Sequence, residues 1–93
     1  MDKYYKISDY SYARAKELNV RLKPSMKGNY KIDIFDVFDN YITSIGHRSY
    51  KDYPTYLKTN GKEFADSRRE LFYKRHKNYK KFSRGWYASK ILW

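Results

Sequence analysis

The spacing of apolar positions shifts along this chain from a helical period to a strand period and back, and that order predicts its elements. Ile7, Ser11, Ala15 and Leu18 recur at helical spacing, which predicts a short helix over Ser8–Leu18 with Ser8 or Asp9 as its N-cap. Its apolar face is narrow and built from small residues, so this helix is expected to lean on a sheet. Val20–Lys23 alternates apolar and basic residues, the mark of a half-buried strand, and Pro24 ends it. In Tyr30–Phe38, Tyr30, Ile32 and Ile34 alternate with Lys31 and Asp33, predicting a second strand with one wet face. The alternation breaks at Phe35 and Asp36, which predicts either a bulge or a strand buried differently at its far end. Asp39-Asn40 reads as a turn, and the β-branched stretch Tyr41–Ile45 as a third strand closed by Gly46. Short connections between the three make an antiparallel meander the simplest topology.

The helical period returns after residue 59. His47–Thr59 reads as an ordered loop, with Tyr50, Tyr53 and Tyr56 spaced by threes and a short helical turn possible after Pro54. Asn60 and Glu63 have capping-box spacing, so the main helix is expected to start at Asn60. Phe64, Leu71, Phe72 and Tyr79 share one face of it, and Glu70 with Lys74 forms an i,i+4 pair elsewhere. Arg68 and Arg75 project within the apolar stripe. Each is expected either to pair with an acid (Asp33, Asp36, Asp39 or Asp52) or to meet a phosphate. Lys80–Gly85 is a basic connector, and Trp86–Trp93 a final short helix whose Trp86, Ile91, Leu92 and Trp93 either dock onto the domain or anchor a protein partner. The fold class expected is α+β: one domain over residues 1–93, a three-stranded meander packed with an N-terminal helix, a long basic helix and a short C-terminal helix.

Composition adds a partner class. With no cysteine, neither disulfides nor thiolate metal sites support the chain, and twelve tyrosines offer core area with polar tips. The net charge is +11, and it is uneven: residues 1–46 hold eight Lys/Arg against six Asp/Glu, residues 47–93 thirteen against four. A gradient of this kind favours a polyanion. The candidate contacts are Arg68, Arg69, Lys74, Arg75, Lys77, Lys80, Lys81 and Arg84, with Tyr73 as a stacking residue opposite the apolar stripe. Lys and Arg give sequence-independent affinity by neutralising phosphates, so the expected partner is DNA or RNA, met through its backbone. His47 and His76 are the only soft metal ligands, too few for a metal site, and His76 is expected to pack beside Phe72 or bond a carboxylate. No cofactor loop or catalytic triad stands out, and the chain is read as non-enzymatic. No apolar run is long enough to span a bilayer and no signal peptide is visible, so the protein is expected inside a cell or a particle.

Several short motifs carry a resemblance: Ile45-Gly46, Tyr50-x-Asp52-Tyr53, Ala65-Asp66-x-Arg68-Arg69, Tyr73 to Lys77, and the ending Gly85-x-Tyr87-Ala88-x-x-Ile91-Leu92-Trp93, with similar stretches upstream. In their order they resemble a small, basic, uncharacterised protein family of the nucleocytoplasmic large DNA viruses. That resemblance implies a viral setting and no established activity. It opens an alternative, a virion structural or adaptor protein that meets acidic partners through its basic surface and contacts viral structural proteins through Trp86 and Trp93. A fainter likeness is to GIY-YIG nucleases, through Tyr30, Tyr41-Ile42 and Ile45-Gly46 followed by an Arg-bearing helix. Here the first glycine is absent, the second Tyr-Ile is not followed by Gly, and Glu63 and Glu70 have no recognisable placement as ion ligands.

Overall fold

A computed structural model describes residues 4–76 and 78–93. Seven elements follow in order: α1 (Asp9–Glu17), β1 (Arg21–Pro24), β2 (Tyr30–Phe35), β3 (Tyr41–His47), α2 (Tyr53–Asn60), α3 (Lys62–Arg75) and α4 (Arg84–Ile91). The strands form one antiparallel sheet in the order β1-β2-β3. Leu22 lies opposite Ile34, and Ile32 opposite Ile45. The class is α+β, with the meander expected from the alternation and helices before and after it.

The core lies between the sheet, α1 and α4. Ile32, Ile34, Ile45 and Ile91 are fully buried, packed with Ile7, Ala15, Leu22, Tyr87 and Leu92. Serine caps start both outer helices of this layer. Ser8 accepts from Ser11 N at 3.2 Å, and Ser83 from Trp86 N at 3.2 Å, each satisfying a free first-turn donor. The bulge expected in β2 falls between Ile34 and Phe35. The strand ends there and does not run on to Phe38, because the Asp36 carboxylate accepts from the backbone N–H groups of Phe38 and Asn40, at 2.8 and 2.9 Å, and turns the chain. Those same bonds hold its pKa below the ordinary carboxylate value, the Asn40 N–H foremost.

Three expectations need correction. The segment read as a loop contains α2. Asp52 accepts from Thr55 N at 3.0 Å as its N-cap, and Pro54 sits in its first turn, where a missing N–H costs nothing. The capping box of Asn60 and Glu63 does not form. Asn60 is the last residue of α2, and Gly61, at φ +88°, breaks the two helices apart and precedes α3 without a side-chain cap. The stripe on α3 is not a core face either: Ala65 is its one buried residue, while Phe64 and Leu71 are 44% and 39% exposed. The buried helix is the short α4, whose Tyr87, Ser89 and Ile91 face inward.

The end of α4 is tied down atom by atom. A helix leaves its last carbonyls without internal partners. Here Ser89 O accepts from the Tyr73 hydroxyl (2.9 Å), Lys90 O from Arg14 Nε (2.7 Å), and Ile91 O from Ser11 Oγ (2.9 Å). Leu92 O accepts from Tyr53 N (3.0 Å), and Trp93 O from the Tyr10 hydroxyl (3.0 Å). The donors come from α1, α2 and α3. Ser11 is fully buried, so Ser11→Ala leaves a buried carbonyl unpaired and is expected to cost about 1–3 kcal/mol. Urea unfolding checks this; an unchanged midpoint would mean the carbonyl finds another donor.

Candidate functional site

Where α2, α3, the end of α4 and the loop before α2 meet, they leave a cleft of about 430 Å³. Its apolar lining is Tyr50, Tyr56, Leu71, Phe72, Ala88, Leu92 and Trp93. Its cationic lining is Lys51, Arg68 and Arg75, with His47 and His76 beside them. Gly46 helps shape the back of the cleft. It sits at φ +75°, which favours glycine, and a Cβ there would lie 2.6 Å from Leu92 Cδ1, so a larger residue would force the Leu92 side chain to shift.

The rings around the cleft form a continuous series. Phe64 meets Tyr56 at 5.4 Å between centroids, and Tyr56 meets Trp93 at 6.2 Å. Trp93 then stacks on Phe72 at 4.6 Å and 7°. Phe72 meets His76 at 4.8 Å, and His76 lies nearly parallel to Tyr79 at 5.6 Å and 11°. The placing of His76 against Phe72 matches its expected packing. The series joins α2, the end of α4, α3 and the segment beyond α3. Trp93 is thereby docked on the domain, and Trp86 packs edge-on against Phe82 and Tyr87.

At the inner end of the cleft lies a buried ion pair. Lys31 Nζ is 2.8 Å from Asp52 Oδ2, with both side chains at most 5% exposed. Lys31 also donates to the Tyr50 carbonyl, and the Tyr5 hydroxyl donates to Asp52 at 2.7 Å. The strand face expected to be wet is therefore covered. The N-terminal segment and the loop before α2 fold over Lys31, and Asp33 is sealed by Ser44, whose hydroxyl donates to it at 2.6 Å. Burial, and then the Asp52 charge, push the Tyr5 pKa well above the ordinary tyrosine value.

The acids expected for Arg68 and Arg75 are all engaged elsewhere. Asp33 bonds Ser44, Asp36 holds its turn, Asp39 meets Arg21 at 3.7 Å, and Asp52 holds Lys31. Among the described residues no ion pair involves Arg68 or Arg75. Arg68 instead lies 5.6 Å from the Tyr56 ring centroid, and Lys51 lies 5.9 Å from the same ring. A ring face attracts a cation without neutralising it. Arg75 and His76 also border a shallower depression with Lys74, Asn78 and Tyr79, so the basic lining continues past the end of α3.

The other candidates separate. Arg69 turns toward α2, 3.5 Å from Asp66 and 4.1 Å from the Tyr53 ring centroid. Asp66 is held below the usual carboxylate range by the Lys62 ammonium and then the Tyr53 hydroxyl. Lys74 pairs with Glu70 at 3.7 Å on the exposed side of α3, the pair the spacing predicted. Tyr73, expected to be free for stacking, has its hydroxyl committed to α4, and burial raises its pKa. Lys80 is exposed. Lys81 lies 5.1 Å from the Phe82 ring centroid, in a second depression with Arg14, Glu17 and Lys90. Arg84 reaches back to the sheet, to Thr43 at 3.4 Å and the Tyr30 ring at 4.7 Å. Lys77 lies outside the described residues. Sequence reasoning missed Lys51, Tyr56 and Trp93 as cleft residues. The signal for the first two was the Asp52-Tyr53-Pro54 step, a capped helix start that turns the tyrosine series onto α3.

Comparison with models of known protein families, with curated proteins and with solved structures finds no match. Among the described residues, no helix is long and apolar enough to cross a membrane.

Asp52 serves as ion-pair partner, helix cap and acceptor for Tyr5 at once. Asp52→Ala strands a buried ammonium and is expected to cost about 3–5 kcal/mol, while Lys31→Met with Asp52→Asn recovers a good part of it. Urea titrations of the three proteins decide this, and a double variant as unstable as Asp52→Ala would contradict it. A second expectation concerns alkali. The folded state holds the Tyr5 proton more tightly than the unfolded chain, so its contribution is complete below about pH 10 and declines as pH rises further. Tyr53, through its bond to Asp66, and Tyr79 and Tyr87, through burial, are shifted the same way. Stability measured across about pH 9–11 should fall, and fall less steeply in Tyr5→Phe.

Proposed function

We propose that this protein binds nucleic acid, DNA or RNA, through its phosphate backbone and largely without sequence preference, and that it performs no reaction on its partner. The observation that carries this reading is the meeting of Arg68, Arg75 and Lys51 at one aromatic-walled cleft, where Asp52 is already paired with Lys31 and, among the described residues, none of the three has an ion pair. Lys62 and Lys74 pair with acids on their own helix, and other surface cations such as Lys80 have no ion pair among the described residues; what sets Arg68, Arg75 and Lys51 apart is that they gather at one concave, ring-lined place. Arg68 lies over the Tyr56 ring and Arg75 borders the same cleft, so both are placed to meet a ligand with their charge intact. Each phosphate they meet releases condensed counterions, and that release supplies affinity independent of base sequence.

The resemblance to a family of large DNA viruses gives this reading a setting, a genome-associated protein of the infected cell or the particle. The alternative of an adaptor anchored by Trp86 and Trp93 has weaker support, because both rings are engaged inside the fold.

A titration with labelled oligonucleotide at about 50 and 200 mM salt tests the proposal, with affinity expected to drop steeply between them. Replacing Arg68 and Arg75 together with Ala should reduce the slope of log affinity against log salt by about 1.5. Lys80→Ala with Lys81→Ala should weaken binding less, since those cations stand outside the cleft. Weak binding with no salt slope would overturn the proposal.

A further inference from the structure

The cleft offers more than charge. A duplex presents phosphates on a convex surface with its bases covered, and so could engage only the cationic rim. The remaining lining is apolar or aromatic: Leu71 is 39% exposed, and Phe72 and Trp93 are half-buried at the same opening. A volume of about 430 Å³ falls in the range that holds a small organic group. The occupant that satisfies both parts carries a flat apolar face and a negative charge next to it. We propose that the cleft takes one unpaired nucleotide of a strand, its base against the Leu71, Phe72 and Trp93 wall and its phosphate between Arg68 and Arg75.

This rests on the nucleic-acid reading and narrows it: the protein prefers single strands. Charge complementarity fixes the occupant. The one side-chain carboxylate among the described residues lining the cleft, Asp52, is consumed by Lys31, so its charge is already balanced when an anionic group enters. The lining continues along Arg75 and His76 to Tyr79, which gives the next nucleotide of the strand a ring and a cation in turn. Base–aromatic contacts of this kind tolerate any base, in keeping with a lack of sequence preference.

The test compares a single strand of about twelve nucleotides with a duplex of the same length, by fluorescence anisotropy. The single strand is expected to bind about tenfold tighter or more. Trp86→Phe leaves Trp93 as the sole tryptophan, and its emission should be quenched by the single strand and not by the duplex. Should that variant fail to fold, competition on the unaltered protein serves: inorganic polyphosphate should displace the single strand poorly, because it has no base. Quenching by a free nucleoside monophosphate at millimolar concentration would also support the assignment. Equal affinity for strand and duplex, or equally effective displacement by polyphosphate, overturns it and leaves phosphate-directed binding standing. No binding of either form at low salt removes the underlying reading as well.

Discussion

Five consecutive main-chain oxygens, Ser89 to Trp93, each accept a hydrogen bond from elsewhere in the chain, and the rest of the structure is arranged around that fact. The end of a buried helix is costly when its carbonyls are unmet. Meeting them here needs donors from α1, α2 and α3, elements that otherwise share little core. Ser11 and Arg14 fix α1 against α4. The Tyr53 N–H fixes the first turn of α2, and the Tyr73 hydroxyl fixes the last turn of α3. The cleft is a consequence: helices pinned to one helix end, and packed mainly through rings, do not close on each other completely.

The same rings answer a second constraint. A small domain with a net charge of +11 is destabilised by its own repulsion, and it has few acids to relieve it. Lys23 lies 4.7 Å from the Phe35 ring centroid, Lys27 3.6 Å from that of Tyr41, and Arg84 4.7 Å from that of Tyr30. These contacts hold cations in place and bury their stems while leaving the positive charge outward. The high tyrosine content and the high charge are therefore one design. An aromatic-poor chain of this size would have to pair its lysines with acids, and its surface would lose positive charge.

The sheet was legible because alternation is a short-range signal: each strand of the meander, and the bulge after Ile34, follows from neighbouring residues. The docking of Trp86–Trp93 was legible from its apolar content. What local pattern could not give was assignment between distant partners. Lys31 looks like a solvent-facing strand residue until Asp52, on a later segment, is known to lie 2.8 Å away. Asn60 and Glu63 have the right spacing for a cap, yet Gly61 at positive φ separates α2 from α3 at that point. Tyr73 lies opposite the stripe on a helical wheel and is 39% exposed, but its hydroxyl would be free only if the stripe faced the core. It does not, because α4 takes the core and α3 is left at its flank. For Arg68 and Arg75 the sequence leaves two readings open, an acid or a phosphate, because no local feature says which acids are already in use.

The use of acids for architecture shapes where the positive charge is left. The chain has ten Asp and Glu residues, and among the described residues the buried ones serve the fold: Asp52 holds Lys31 and caps α2, and Asp33 is sealed by Ser44. Asp36 and Asp66 are held by their turn and by Lys62 and Tyr53. An acid spent on a backbone N–H or a tyrosine hydroxyl is not available to a nearby arginine, so committing acids to caps and turns leaves cations without protein partners. Their position then follows from where rings, not acids, can hold them, and the densest run of rings is the one from Tyr56 through Trp93 and Phe72 to His76. Unneutralised charge and exposed aromatic surface thus converge for one structural reason, the use of acids for architecture in a chain that has few of them.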